Sequence, residues 1–182
     1  MTIFTIGHST RTLEALIAAL AEAGVDCVAD VRRFPRSRRH PHFNIEALAQ
    51  ALPEAGIAYR HFEALGGRRS GAKSATAASP NDLWREAPFR AYADYAATPD
   101  FRDALGALRD LAKKQTVAIM CAEAVWWRCH RRIIADYLLA GGADVVHIMD
   151  KGKLEPARLT EGAVPRPDGT VLYAADQGRL EL

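Results

Sequence analysis

Side chains with catalytic and anion-binding chemistry are concentrated between residues 116 and 142, in the segment TVAIMCAEAVWWRCHRRIIADYLLAGG. Thiol, carboxylate, imidazole and guanidinium groups lie close together there: Cys121, Glu123, Cys129, His130 and Arg131. Such groups act as nucleophiles, general acids and bases, and ligands for anions. A hydrophobic core requires none of them, so the segment predicts an active or binding site.

Each reactive side chain in this segment has a catalytic and a structural interpretation. The apolar run 116–120 predicts a buried strand, and we expect a helix to begin directly after it. Cys121 would then be a thiolate stabilised by the helix amides, or a small buried residue. Glu123, in the first helical turn, would be a general base, an acceptor for a substrate hydroxyl or an ion-pair partner. His130 would protonate a leaving group or bind a backbone carbonyl, while Cys129 would pack on the apolar face of the helix.

Arginine residues are concentrated in a second segment, 31–45, which contains no carboxylate: Arg32, Arg33, Arg36, Arg38 and Arg39. This pattern predicts an anionic ligand, or it belongs to a solvated loop. We expect Arg32, Arg36 and Arg131 to hold a phosphate through their guanidinium forks. Further candidate ligand-binding residues are His8, Ser9, Asp30, Arg68 and Trp127. Ser9 would donate hydrogen bonds to an anion, and Trp127 would stack on a base or sugar.

No metal ion and no organic cofactor are predicted. The spacing of Cys121, Cys129 and His130 matches no common zinc motif, and His40 and His42 form an isolated pair on a loop. A thiol-phosphatase loop of the Cys-x5-Arg type is not present, because Trp127 occupies the arginine position. The sequence contains neither a Gly-x-Gly-x-x-Gly nor a Walker motif, so no dinucleotide or nucleoside triphosphate site is indicated.

The composition is typical of a soluble globular protein, with 49% hydrophobic residues, 25% charged residues and a net charge of +2. A chain of 182 residues suits one domain, which we place at 1–182. No apolar run reaches the roughly 18 residues of a membrane span, and the N-terminus has no signal-like segment. An odd number of cysteines, three, favours free thiols in a reducing compartment. We therefore expect a cytoplasmic protein without a membrane partner.

Strand-like and helix-like segments alternate along the chain, which predicts an α/β fold. The predicted strands are 2–6, 25–31, 57–62, 116–120, 144–149 and 171–173. Ser9 or Thr10 would cap the first helix, and Asn44 would cap the second. Residues 152–162 would form a loop with a short helix, and 66–88, which lack periodicity, would form a mobile loop or lid.

These elements predict a mostly parallel, open, Rossmann-like sheet flanked by helices on both faces. Right-handed crossovers place all strand-to-helix turns at one edge of such a sheet. Ligands of open α/β proteins bind at this edge. We therefore expect the candidate residues to meet there.

The sequence also contains a characteristic set of motifs: Thr5-Ile6-Gly7-His8-Ser9, Asp30-Val31-Arg32 with Pro35-Arg36-Ser37, Leu65-Gly66-Gly67-Arg68, Tyr92-Ala93-Asp94-Tyr95, and Cys121-Ala122-Glu123 with Cys129-His130-Arg131. Together they resemble the bacterial domain of unknown function 488 family over essentially the whole chain. The resemblance implies a compact cytoplasmic α/β protein and supports the predicted position of the site. It implies no particular substrate.

The candidate residues favour an enzyme that acts on a phosphate-bearing ligand, such as a nucleotide or a nucleic-acid end. Hydrolysis and glycosidic-bond cleavage both suit the residue set. One alternative is a nucleotide-binding or nucleic-acid-binding module without turnover. Another is a thiol-based redox or sensing protein that uses Cys121.

Overall fold

Six strands form the main sheet of the computed structural model, which describes residues 1–67 and 79–175. They are β1 (Thr2–Gly7), β2 (Cys27–Asp30), β3 (Ala58–His61), β4 (Val117–Cys121), β5 (Asp144–Ile148) and β6 (Leu154–Pro156). Their spatial order is β3-β2-β4-β1-β5-β6. The first five strands in this order run parallel, and β6 pairs antiparallel with β5 at one edge.

Five α-helices cover the sheet in the described part of the chain: α1 (Leu13–Glu22), α2 (Ile45–Glu54), α3 (Ala87–Ala96), α4 (Pro99–Ala112) and α5 (Arg131–Ala140). Alternate residues of a strand point to opposite faces, so β4 contributes to two separate cores. Its Ile119 packs in the core that contains α3, α4 and α5. Its Met120 packs in the core that contains α1 and α2. The mixed α/β, mostly parallel, Rossmann-like fold is confirmed.

The strand order brings three chain segments together at the carboxyl edge of the sheet. Strand β4 lies between β1 and β2, so the residues that follow these three strands are neighbours. Backbone hydrogen bonds continue the pairing past the strand ends. The amide of His8 donates to the carbonyl of Cys121, the last residue of β4, over 2.9 Å. The amide of Ser9 donates to the carbonyl of the next residue, Ala122, also over 2.9 Å. The amide of Val31 donates to Met120 over 3.0 Å.

The prediction that a helix begins directly after Cys121 is wrong. Residues 122–125 are irregular, Trp126–Arg128 form a short 3-10 turn, and α5 begins only at Arg131. The pairing with His8 and Ser9 extends the chain along the end of β1, which is incompatible with a helical turn there. Glu123 therefore lies in a loop and not in the first turn of a helix.

Two short elements near the C-terminus were also missed by the sequence prediction. Residues 152–162 contain strand β6 where a loop with a helix was expected. Strand β7 (Ala163–Pro165) pairs antiparallel with β8 (Val171–Tyr173) in a separate hairpin. The missed strands β6 and β7 have three residues each, which is too short for an alternating pattern to be recognised, whereas β8 was predicted at 171–173.

The side chains predicted to cap α1 and α2 do not make the cap hydrogen bonds. The side chain of Thr12, and neither Ser9 nor Thr10, caps α1 by accepting a hydrogen bond from the amide of Ala15 over 3.1 Å. Asn44 precedes α2 as expected, but its side chain accepts from the amide of Ser37 and makes no cap bond.

Part of the predicted lid, residues 68–78, lies outside the described residues. The following residues are fixed to the fold. Ser79 and Asn81 both donate to the carboxylate of Asp94, and Asn81 also accepts from the amide of Tyr173. Trp84 is 6% exposed in the core. Residues 79–86, which precede α3, are thus held to Asp94 of α3 and to Tyr173 of β8.

Candidate active site

A cavity of about 770 Å³ lies at the carboxyl edge of the sheet. Its walls come from the segments after β1, β2 and β4, from Gly67 and from the beginning of α3. Arginines dominate the lining: Arg32, Arg33, Arg36, Arg39 and Arg128. Among the described lining residues Glu123 is the single carboxylate. The excess of guanidinium groups makes the cavity suited to an anion.

Arg32 is fixed in the cavity wall by Asp30. The guanidinium Nε donates to Asp30 Oδ1 over 2.9 Å and Nη2 donates to Oδ2 over 2.5 Å. The Arg32 amide also donates to this carboxylate over 3.0 Å, and the Tyr59 hydroxyl donates to it over 2.7 Å. Asp30 is fully buried and Arg32 is 7% exposed. Asp30 therefore positions Arg32 from behind and does not itself line the cavity.

His8 holds the other side of the Arg32 guanidinium. Arg32 Nη1 lies 3.2 Å from His8 Nε2, and His8 Nδ1 lies 3.1 Å from the carbonyl of Ser9. Burial, together with the nearby Arg32 charge, lowers the pKa of His8 to about 4. The neutral imidazole thus accepts from Arg32 and donates to Ser9. With Asp30 and His8 on two sides, Arg32 is held in one orientation before any ligand arrives.

The two cysteines and His130 form a compact cluster, which we call the thiol–imidazole cluster. Sγ of Cys121 lies 3.8 Å from His130 Nδ1, and Sγ of Cys129 lies 3.6 Å from the same atom. His130 Nε2 lies 2.9 Å from the carbonyl of Val31 and donates to it. All three side chains line the cavity. The cluster therefore presents two sulfur atoms and one imidazole nitrogen to a ligand.

Arg131 lies behind this cluster and sets its charge. Its Nε donates to Cys129 Sγ over 3.3 Å, and its Nη2 donates to the carbonyl of Glu123. The hydrogen bond between the thiols, followed by burial, raises the pKa of Cys121 well above its usual value. Burial opposes ionisation of Cys129, but the hydrogen bond from Cys121 and the His130 and Arg131 groups together bring its pKa well below the usual value. Cys129, which we predicted to pack, is the sulfur that these contacts favour as a thiolate.

Two glycines allow the chain to approach the cluster closely. A Cβ atom on Gly67 would lie 2.5 Å from His130 Nδ1, and one on Gly66 would lie 2.6 Å from the Cα atom of Arg33. The Gly66-Gly67 pair therefore permits contact between this segment, the arginine segment and the imidazole.

The predicted site residues divide into four groups. Those that line the cavity are His8, Ser9, Arg32, Arg36, Cys121, Glu123 and His130. Asp30 and Arg131 are buried behind its walls. Trp127 is 45% exposed and is not part of the lining. Arg68 lies outside the described residues.

Sequence reasoning did not assign a site role to Arg39, Arg128 or Cys129, all of which line the cavity. The sequence signal for Cys129 and Arg128 was their position immediately before His130, in the order Arg128-Cys129-His130. We predicted Cys129 to pack on the apolar face of a helix and therefore gave it no site role. In the structure Cys129 precedes the helix and does not belong to that face.

A buried histidine supports the loop that carries the cluster. His147 of β5 stacks on Trp126 with ring centroids 4.4 Å apart, and its Nδ1 lies 2.8 Å from Thr5 Oγ1. Burial, with repulsion from Arg131, lowers the pKa of His147 from 6.5 to about 4. The neutral ring is therefore part of the folded structure.

We expect the stability of the protein to fall on acidification because of His147. The unfolded chain binds a proton at this residue near pH 6.5, whereas the folded protein resists it down to about pH 4. The contribution of the neutral His147 ring to the free energy of unfolding is fully present above pH 6.5. It decreases below this pH, by about 2 kcal/mol at about pH 5. Urea unfolding of the wild type and of His147→Gln over this range measures the difference. Parallel pH profiles of the two proteins would contradict the assignment.

The fold and the edge cavity define a class of protein: an open-sheet α/β protein with an arginine-rich pocket containing thiols. The chain belongs to the family described as domain of unknown function DUF488, whose sequence profile matches residues 12–138. A search of curated proteins found no match, and a search of solved structures found none either. Within the described residues no helix is both long and apolar enough to cross a membrane.

Proposed function

We propose that this protein is an enzyme that binds a phosphate-bearing ligand, a nucleotide or a nucleic-acid end, and hydrolyses it. The observation that carries the proposal is the cavity lined by five arginines and one carboxylate, with the thiol–imidazole cluster in the same wall. Guanidinium groups suit the bidentate recognition of phosphate oxygens. Arg32 and Arg36 are paired with Asp30 and Glu46, which lie outside the lining. The other three lining arginines outnumber Glu123, so the cavity keeps an excess of positive charge that suits an anion.

In this proposal the arginines bind the phosphate, and the thiol–imidazole cluster and Glu123 carry out the chemistry. Arg32 provides a fixed guanidinium group in the wall, while the exposed Arg39 and Arg128 can move onto the phosphate. The thiol–imidazole cluster supplies the reactive groups next to the bound phosphate. Glu123, exposed on the rim, would accept a proton from water or from a sugar hydroxyl. Three buried cysteines would keep their thiols in a reducing compartment, and we propose the cytoplasm.

Binding is tested with AMP and with adenosine, which differ only in the phosphate. We expect AMP to bind and adenosine to bind much more weakly in isothermal titration calorimetry. Arg39→Gln and Arg128→Gln should each weaken AMP binding by at least about fivefold, because each removes a charge-assisted contact. Arg166→Gln, which removes an arginine that does not line the cavity, should leave the affinity unchanged. Equal affinities for AMP and adenosine would contradict the phosphate site.

Turnover is tested separately by chromatography of the products. Incubation with AMP or with a 5′-phosphorylated oligonucleotide should release inorganic phosphate, and Cys129→Ser should lose this activity while still binding AMP. Release of adenine instead would indicate glycosidic-bond cleavage. Binding without any product would identify a non-catalytic nucleotide-binding module.

A further inference from the structure

We infer that Cys121 Sγ, Cys129 Sγ and His130 Nδ1 are the protein ligands of a single Zn²⁺ ion, with its fourth position open to the cavity. The spacing of these residues in the sequence gave no reason to expect a metal. In the folded chain the three candidate ligand atoms lie within 4.8 Å of one another. This inference goes beyond the proposed function, and metal binding can be measured without any phosphate ligand.

The distances agree with a tetrahedral zinc site. Zinc–sulfur and zinc–nitrogen bonds of about 2.3 Å and 2.05 Å, at a tetrahedral angle, separate sulfur from nitrogen by about 3.6 Å. The observed separations from His130 Nδ1 are 3.6 Å to Cys129 Sγ and 3.8 Å to Cys121 Sγ. An ion therefore needs only small side-chain movements to bind all three atoms.

The orientation of His130 is already that of a metal ligand. Its Nε2 donates to the carbonyl of Val31 over 2.9 Å, which leaves the lone pair on Nδ1 directed toward the two sulfurs. Metal-bound histidines commonly donate their second ring nitrogen to a carbonyl or carboxylate in this way, and the bond fixes the tautomer. The outer partner of the proposed site is thus in place.

Gly67 allows the chain to pack against the face of the His130 ring. A Cβ atom at this position would lie 2.5 Å from His130 Nδ1 and 2.7 Å from its Cγ. Because Nδ1 and Cγ are almost equally near, a side chain here would press on the face of the ring, and glycine lets the imidazole keep its place beside the two sulfurs. Since Gly67 and the three ligands all line the cavity, the fourth position is open to water or to a substrate oxygen. Zinc sites with three protein ligands and one open position are typical of catalytic zinc.

The charges around the cluster are compatible with Zn²⁺ bound to two thiolates. Two ionised sulfurs would neutralise the ion, and binding would release the thiol protons. Arg131 Nε, 3.3 Å from Cys129 Sγ, would donate a hydrogen bond to a metal-bound thiolate from outside the first shell. Soft sulfur ligands favour zinc over magnesium, calcium or manganese.

The experiment uses the full chain, reduced and freed of metal with EDTA, without any nucleotide. Anaerobic titration with Co²⁺ should produce a thiolate-to-cobalt charge-transfer band that saturates at one equivalent and disappears when Zn²⁺ is added. Competition with a chromophoric chelator then gives the Zn²⁺ affinity. Cys121→Ser, Cys129→Ser and His130→Asn should each weaken Zn²⁺ binding by at least about 100-fold, since outer-shell partners alone are worth 10–100-fold.

Cys27→Ala is the matched control, because it removes the remaining cysteine, which is buried in the core away from the cavity. It should bind Zn²⁺ as the wild type does. X-ray absorption of the wild-type zinc complex should show two sulfur neighbours at about 2.3 Å and nitrogen or oxygen neighbours at about 2.0 Å. This measurement does not depend on the folding of any variant.

Absence of the charge-transfer band in the reduced wild type would overturn the metal site. So would a zinc spectrum without sulfur neighbours, or an unchanged affinity in all three ligand variants. A zinc-binding protein that ignores AMP would leave the metal inference standing and remove the phosphate proposal. A protein that binds AMP but no zinc would contradict the metal site alone and leave the phosphate proposal standing.

Discussion

Replacing Gly7 with alanine is expected to destabilise the protein by roughly 3 kcal/mol or more. Gly7 ends β1 and lies directly against the loop that follows β4. An added Cβ would overlap the carbonyl oxygen of Glu123 and lie 2.8 Å from its carbonyl carbon. Both atoms belong to the backbone, so the overlap can be relieved only by moving the chain.

Gly7→Ala should also disturb the candidate active site, because the displaced loop contains Glu123 and leads to Cys129. Urea unfolding measures the loss of stability of Gly7→Ala. The control is Gly106→Ala in α4, where an added Cβ meets no atom within 4 Å. There alanine should stabilise the protein by about 0.5–1 kcal/mol through helix propensity. Similar effects of the two substitutions would show that the loop is not packed on Gly7 as described.

Removing the carboxylate of Asp30 is expected to cost about 3–5 kcal/mol, because it leaves the buried Arg32 without its counter-charge. Asp30 is fully buried and accepts hydrogen bonds from the Arg32 side chain, the Arg32 amide and Tyr59. A loss of this size is a large part of the total stability of an ordinary domain. Urea unfolding of Asp30→Ala gives the value.

The exposed pair of Arg36 and Glu46 provides the comparison. Its two side chains are 78% and 65% exposed and approach to 2.9 Å. Glu46→Ala should cost less than about 1 kcal/mol, since water screens such a pair. In the double variant Asp30→Ala/Arg32→Met, part of the Asp30→Ala loss should be recovered, because the uncompensated charge is gone. A loss for Asp30→Ala no larger than that for Glu46→Ala would mean that Arg32 is not held as described.

The helices and parallel strands could be predicted because their signals are local. Apolar runs such as 116–120 mark buried strands, and the repeated leucines of α1 and α2 mark helix faces, since the pattern needs only neighbouring residues. Strands β6 and β7 were missed because three residues carry no readable period, whereas β8 was predicted because a turn signal precedes it. The path of 122–130 was also missed, because contacts with β1 determine it.

The sequence by itself determined which segments carry the candidate site residues and that these segments would follow parallel strands. Only the tertiary structure decided which side chains meet. The insertion of β4 between β1 and β2 places Cys121 beside His8 and Arg32, and the irregular loop returns Cys129 and His130 to the same point. Similar apolar strands give no local indication of their order, so contacts between residues far apart in sequence could not be read from spacing.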